Sequence, residues 1–406
     1  MQFQTYAPIS TALHLRVGCD PRASSYRRVL DALPEDDGTF RVPNRAALAA
    51  AEFEDLSEDG YDLRLAVWTP PAKEGEAAIC YHIYQTGVTI AETVLDIEGP
   101  PDAEHLEQEV QRRTRAVLAA HEERLHALLL DLAARLPRDL LRDEPRDRLS
   151  TGNWISRAAI LTDADRKDPA VEAFVEDWLR HTIRPEDAEA VLSGRCDHSM
   201  TWLNYVVVRT SEERFEQLTS VMRISQAVWT AQDRLNKTLR ETLSVNLHSP
   251  KIREAAEELR AGRARMQMLR IQYETLQGYM NREKLRLLED IMDGWGFSRL
   301  MTLGERMVAL ASARIDEIQA QRAERGSLVT DLILVGIGLI AVLELSLYLT
   351  EFSREMLTRP ALGYNDERVS DILSFFAGVD ADTMFGSGLA LVTILGLIYV
   401  YWKTRR

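Results

Sequence analysis

Cysteine is scarce in this chain: Cys19, Cys80 and Cys196 are the only three in 406 residues. An odd number at wide spacing excludes a disulfide framework and a paired-cysteine zinc site, and it fits a reducing compartment. Positive charge is also in deficit, with 49 Lys and Arg against 63 Asp and Glu and a formal net charge of −14. That balance argues against a nucleic-acid partner, because phosphate binding needs Lys and Arg concentrated on one face. The opening residues, Met1–Ser10, lack the basic start and apolar core of a secretory signal, which leads to the expectation of a cytoplasmic N-terminus. A phosphate-cradling glycine loop, a nucleophile elbow and a credible triad are missing too, so the chain is not expected to be an enzyme.

What is present is concentrated near the C-terminal end. Leu328–Thr350 and Phe385–Trp402 are apolar segments, and Leu332–Leu343 and Leu389–Val400 within them carry no charge. At 1.5 Å per residue each is long enough to cross a hydrocarbon core of about 30 Å. A pair of buried core helices is the bland alternative. Arg322 and Arg325 precede the first segment and Lys403, Arg405 and Arg406 follow the second. The positive-inside rule then puts both flanks in the cytoplasm, as two spans require. The connector 351–384 sets Arg354, Arg359 and Arg368 against Glu351, Glu355, Asp366, Glu367, Asp371, Asp380 and Asp382, leaving an acidic outer mouth.

Hydrophobic content of 46% allows a sizeable core ahead of this module. Residues 1–210 read as a cytoplasmic α/β domain. Strand-like runs fall at Thr11–Cys19, Tyr61–Trp68, Ala77–Tyr84, Gly87–Leu95, Trp154–Leu161 and Trp202–Arg209. Gly87 suits a tight turn with positive φ. Helices are predicted at about 102–136, 169–181 and 185–192.

From residue 211 strand signals vanish. Residues 211–297 read as a helical hairpin, with one helix to about Val245 and a second from Lys251 to about Met292. Gly294-Trp295-Gly296 breaks the pattern, and Ser298 is a candidate N-cap for a stalk helix, 298–350, that runs into the first span. The connector 351–384 and the second span with its basic tail, 385–406, complete the division. A stalk on the order of 80 Å long needs support from neighbouring helices or further copies of itself.

Several residues could carry chemistry. Glu344 lies inside the first span, where a carboxyl facing lipid costs several kcal/mol, so it should face a bundle interior or a watery path. Ile337, Ala341 and Tyr348 share its face at helical spacing, and together they are the candidate lining of an ion pathway. A protonated glutamate hydrogen-bonded between helices is the alternative. Asp331, at the cytoplasmic end of the span, would form a carboxylate ring in a symmetric oligomer or sit among headgroups. Thirteen residues at 100° each place it about 220° from Glu344, so the two do not line one straight path. His121 and His126 are five apart, which removes the shared face of a helical zinc motif. Cys196-Asp197-His198 is a candidate soft-metal cluster without a second pair nearby, and an ordinary loop is the favoured alternative.

The order of parts resembles the CorA-like metal ion transporter superfamily: an α/β domain, a helical hairpin, a stalk helix becoming the first span, a second span and a short basic tail. The resemblance implies five copies around the first span, divalent cations such as magnesium on the axis, and a Gly-Met-Asn signature closing that span. This chain has no such tripeptide there. The nearest match is Gly363-Tyr364-Asn365, within the connector, which puts magnesium selectivity in doubt before the fold. Family members without the signature include bacterial antiviral membrane effectors whose cytoplasmic domains respond to nucleotides.

The expectation is therefore a homo-oligomeric, pentameric cation channel or transporter in a bacterial inner membrane, gated by its cytoplasmic domain. A nucleotide-sensing effector forming a non-selective pore is the alternative, and a non-conducting scaffold is a third.

Overall fold

The computed structural model describes residues 1–15, 24–43, 45, 64–71, 77–97, 103–141, 149–151, 154–246, 252–358, 371, 375 and 378–404. The chain divides into two compact units, Met1–Ile315 and Asp316–Arg406.

The first unit is built on a mixed sheet. Its strands are β1 (Gln2–His14), β2 (Phe40–Arg41), β3 (Arg64–Trp68), β4 (Ala78–Tyr84), β5 (Thr86–Asp96), β6 (Ser150–Thr151), β7 (Ser156–Leu161), β8 (His198–Met200) and β9 (Asn204–Val208). They lie in the order β2-β3-β4-β5-β1-β7-β9-β8, with β6 paired to β1. Pairing is antiparallel except between β7 and β9. Gly87 holds φ +76 just after the β4–β5 turn, and a Cβ there would lie 3.2 Å from the Thr11 carbonyl oxygen.

Helices cover both faces. Along β1, Phe3, Thr5, Ala7 and Ile9 point to one side and Gln4 and Tyr6 to the other, and all are buried. Helix α1 is Ser24–Ala32, and α2, Ala103–Arg135, lies on the first side, where its Thr114 hydroxyl donates to that of Thr5 at 3.2 Å. Helix α3 (Pro169–Leu179) adds Phe174 and Trp178 around Phe3, and short α4 is Asp187–Leu192. Helix α5 (Glu212–Asn246) covers the second side.

β1 begins well before the Thr11 start that alternation suggested. Its polar positions hide it: Gln4 donates to Glu92, and Thr5 bonds both Thr93 and Thr114, so side chains that read as exposed find partners inside the core. Residues 16–19 of the expected run lie outside the described residues.

Helix α5 pairs with α6 (Ile252–Tyr279). The single helix expected from Lys251 to Met292 is in fact two, because α7 (Arg282–Gly294) starts afresh at Asn281. Asn281 has extended backbone and its side chain accepts from the Lys284 N–H at 2.9 Å, an N-cap that redirects the chain. Gly296, at φ +66, follows α7, and α8 begins at Phe297, which puts Ser298 inside its first turn rather than at the cap. Leu239 and Leu243 of α5, Leu259 and Met266 of α6, and Met307, Ala311 and Ile315 of α8 form a three-helix core. Gly304 lets α8 approach closely: a Cβ would lie 2.8 Å from Asn236 Oδ1 and 2.8 Å from Gln232 Nε2.

Helix α8 is unbroken over Phe297–Thr358, 62 residues. Gly326 and Ser327 do not interrupt it, since roughly 1 kcal/mol of glycine cost is small against so many propagating bonds. In the second unit its C-terminal part is joined by α9 (Ala381–Thr404), whose Gly388 passes close to Leu343. The result is an α/β N-terminal region followed by a helical C-terminal region.

Candidate functional site

Ile333–Phe352 of α8 is the one helical segment among the described residues that is long and apolar enough to cross a membrane; it has 20 residues, almost none of them buried. A shorter apolar stretch, Asp382–Ile394, lies in α9. The candidate lining residues do share one face. Ile337 (58% exposed), Ala341, Glu344 and Tyr348 (68% exposed) are all exposed, and Tyr348 stacks on Phe352 with ring centroids 6.5 Å apart. Leu343, which meets Gly388 of α9, is six residues after Ile337 and so about 120° around the helix from that face. Helix α9 therefore leaves the Glu344 face uncovered. Among the described residues Glu344 makes no hydrogen bond or ion pair. Asp331 lies in the helix, and Gly363, Tyr364 and Asn365 lie outside the described residues.

A second arrangement, which sequence reading missed, lies between the sheet and α5. Glu92 on β5 receives His82 Nε2 of β4 at 2.9 Å and Arg223 Nη1 of α5 at 3.0 Å, and it also bonds Gln4. Arg223 Nη2 reaches Glu216 at 2.6 Å, and Arg64 donates to His82 Nδ1 at 3.1 Å. His82 thus accepts at Nδ1 and donates from Nε2, the pattern of a neutral ring. Burial lowers the His82 pKa in the same sense. For Glu92 burial opposes ionisation, but Arg223 and His82 outweigh it and hold the carboxyl at about 2. The sequence marks Glu92, His82 and Arg223 as polar positions in largely apolar stretches, but nothing local in it pairs them. The arrangement pins a long helix to the sheet by a charge pair that cannot be half removed cheaply.

The third group is Cys196-Asp197-His198, whose donor atoms lie within 4.8 Å of one another. Here Sγ is 3.9 Å from His198 Nδ1, and Asp197 Oδ1 is 2.7 Å from the same nitrogen. Arg214 Nε donates to Asp197 at 2.7 Å. Burial would lower the His198 pKa, but its bonds to Asp197 and Cys196 raise it to about 9, and the Cys196 thiol is lowered chiefly by His198. An imidazolium and a guanidinium already occupy the carboxylate, so a metal would have to displace a satisfied ion network. His121 is buried within α2 and His126 is on another side of it, five residues on.

No known family model, curated protein or solved structure matches this chain. The functional reading therefore rests on its own residues and on the order of its parts.

Proposed function

We propose that this chain is one subunit of a homo-oligomeric CorA-like membrane protein that passes divalent cations, magnesium among them, under control of its α/β region. The carrying observation is Glu344: a carboxyl group in an apolar, exposed helix, with no partner among the described residues, on a face that α9 leaves open. In a bilayer such a group is satisfied by water or by other copies, and both conditions are met at a shared axis. Helix α8 lines that axis, the apolar part of α9 forms the outer wall as a second span, and five copies close the ring. Both termini face the cytoplasm of a bacterial cell whose inner membrane holds the assembly.

Gating follows from the continuity of α8. Its Met307–Ile315 stretch packs on α5, and α5 is pinned to the sheet through Arg223 and Glu92, so a shift in the sheet is felt by the helix that lines the axis. Protein reconstituted in liposomes with an entrapped magnesium indicator is expected to show flux that Glu344→Leu strongly reduces. Absence of cation flux in every tested condition overturns the proposal. Equal passage of chloride and small sugars would favour the non-selective pore instead.

A further inference from the structure

Between α2 and the sheet lies a cavity of about 210 Å³ that neither the apolar helix nor the ionic pin uses. Ala7 and Ile9 of β1, Tyr81 of β4, Leu118 and Leu125 of α2, and Trp154 supply most of its wall. A wholly apolar cavity of about 150 Å³ accepts benzene, so this one has room for a single ring with short substituents. It is not wholly apolar, however. Tyr81 is fully buried, and among the described residues its hydroxyl has no hydrogen-bond partner. Burial keeps that phenol protonated, so it is a donor held without an acceptor. Trp68 stacks on the Tyr81 ring at 5.3 Å and Arg124 sits over Trp68, which fixes the phenol in place. Leaving such a group unsatisfied is costly, and a ligand acceptor removes the cost.

The rim carries the second clue. Arg115 and Glu122 line the cavity from exposed positions on α2, seven residues and about 10.5 Å of helix apart. Neither forms an ion pair among the described residues. Ala119 lies between them on the same face, and its methyl group leaves the space above it open.

We infer that this cavity binds a small zwitterion with a single aromatic ring, of the size of an aromatic amino acid. Its ring lies on the apolar wall, a ring substituent accepts a hydrogen bond from the Tyr81 hydroxyl, and its carboxylate and ammonium meet Arg115 and Glu122. Binding does not depend on whether the chain conducts ions.

Calorimetric titration of the full chain in detergent micelles with tyrosine, phenylalanine, 4-methylphenol and alanine tests this. Tyrosine is expected to bind once per chain, about tenfold more tightly than phenylalanine, which lacks the acceptor. Alanine and 4-methylphenol, each with half of the recognition features, should bind at least about tenfold more weakly than tyrosine. Tyr81→Phe should erase the preference for tyrosine over phenylalanine, and Arg115→Ala should weaken both. Ala119→Phe, at an exposed position that tolerates bulk, should block binding while leaving the thermal midpoint unchanged. No saturable binding of tyrosine, equal binding of tyrosine and phenylalanine, or binding untouched by Ala119→Phe overturns the inference.

Discussion

Met307, Ala311 and Ile315 on α8 are at most 6% exposed, whereas Ile333, Leu334, Ile337, Ile340 and Leu345 on the same helix are each more than half exposed. The backbone conformation is the same in both stretches, so it does not explain the difference. The first stretch is amphipathic: its apolar stripe packs on α5 and α6, and Glu305, Arg306 and Asp316 occupy the water side. The second is apolar on nearly every side, with Glu344 as its exception, and among the described residues little covers it. A helix of the first kind is complete in water. A helix of the second kind needs a different solvent or other copies of itself.

The largest expected effect tests how firmly the first region is internally satisfied. Arg223→Ala leaves Glu92 buried without its main counter-charge, and should cost about 3–5 kcal/mol, read as a lower denaturation midpoint of the sheet region. A loss under 1 kcal/mol would mean that the pin is not structural. On the other side of the comparison, Ile340→Arg puts a charge near the middle of the apolar segment and should cost about 2.5–3.5 kcal/mol of insertion. It should move the protein out of carbonate-washed membranes. An unchanged membrane fraction would place the segment outside the bilayer.

Gly304→Leu strikes the bundle at its closest approach and should destabilise it by about 1–3 kcal/mol through overpacking. Its thermal midpoint should fall, and a neutral result would show that α8 is free to move away.

Acidity should affect the two ionic groups in opposite senses. Glu92 has a folded pKa of about 2, below its ordinary 4.5, so its contribution is full above 4.5 and is lost as pH falls toward 2. His198 is raised to about 9 from 6.5, so its contribution is full below 6.5 and is lost as pH rises through 9. A stability profile by tryptophan fluorescence should show both limbs, and Arg223→Ala should shift the acid limb upward while leaving the alkaline one in place. Smallest is Asn281→Ala, which removes the α7 cap for about 1 kcal/mol.

Much of the first region was legible. Strands β3, β4, β5, β7 and β9 fall within a few residues of the strand-like runs, because each is a short stretch rich in apolar and β-branched residues that the sheet buries almost throughout. The long α2 and α5 were equally plain from their stripes. β1 was not, since Gln4 and Thr5 are buried polar residues whose partners come from β5 and from α2. The α6–α7 break was missed because the apolar spacing continues across it, and only the Asn281 cap marks the stop.

Of the candidate site, the shared face of Ile337, Ala341, Glu344 and Tyr348 followed from helical spacing. That α9 packs away from this face did not, because it depends on where a helix nearly 40 residues later comes to rest. The ionic pin was equally out of reach. Glu92, His82 and Arg223 sit on three different elements, and no local pattern says that isolated charges in separate apolar runs are each other's partners.

Sequence alone determined the α/β order, the long helices and the apolar stretch, since these follow from the spacing of hydrophobic residues along one segment. Tertiary structure alone decided which polar groups are paired inside the sheet layers, which glycine lets helices touch, and which carboxyl group has no partner among the described residues. Those are relations between segments far apart in the chain, fixed only when packing brings them within a few ångströms.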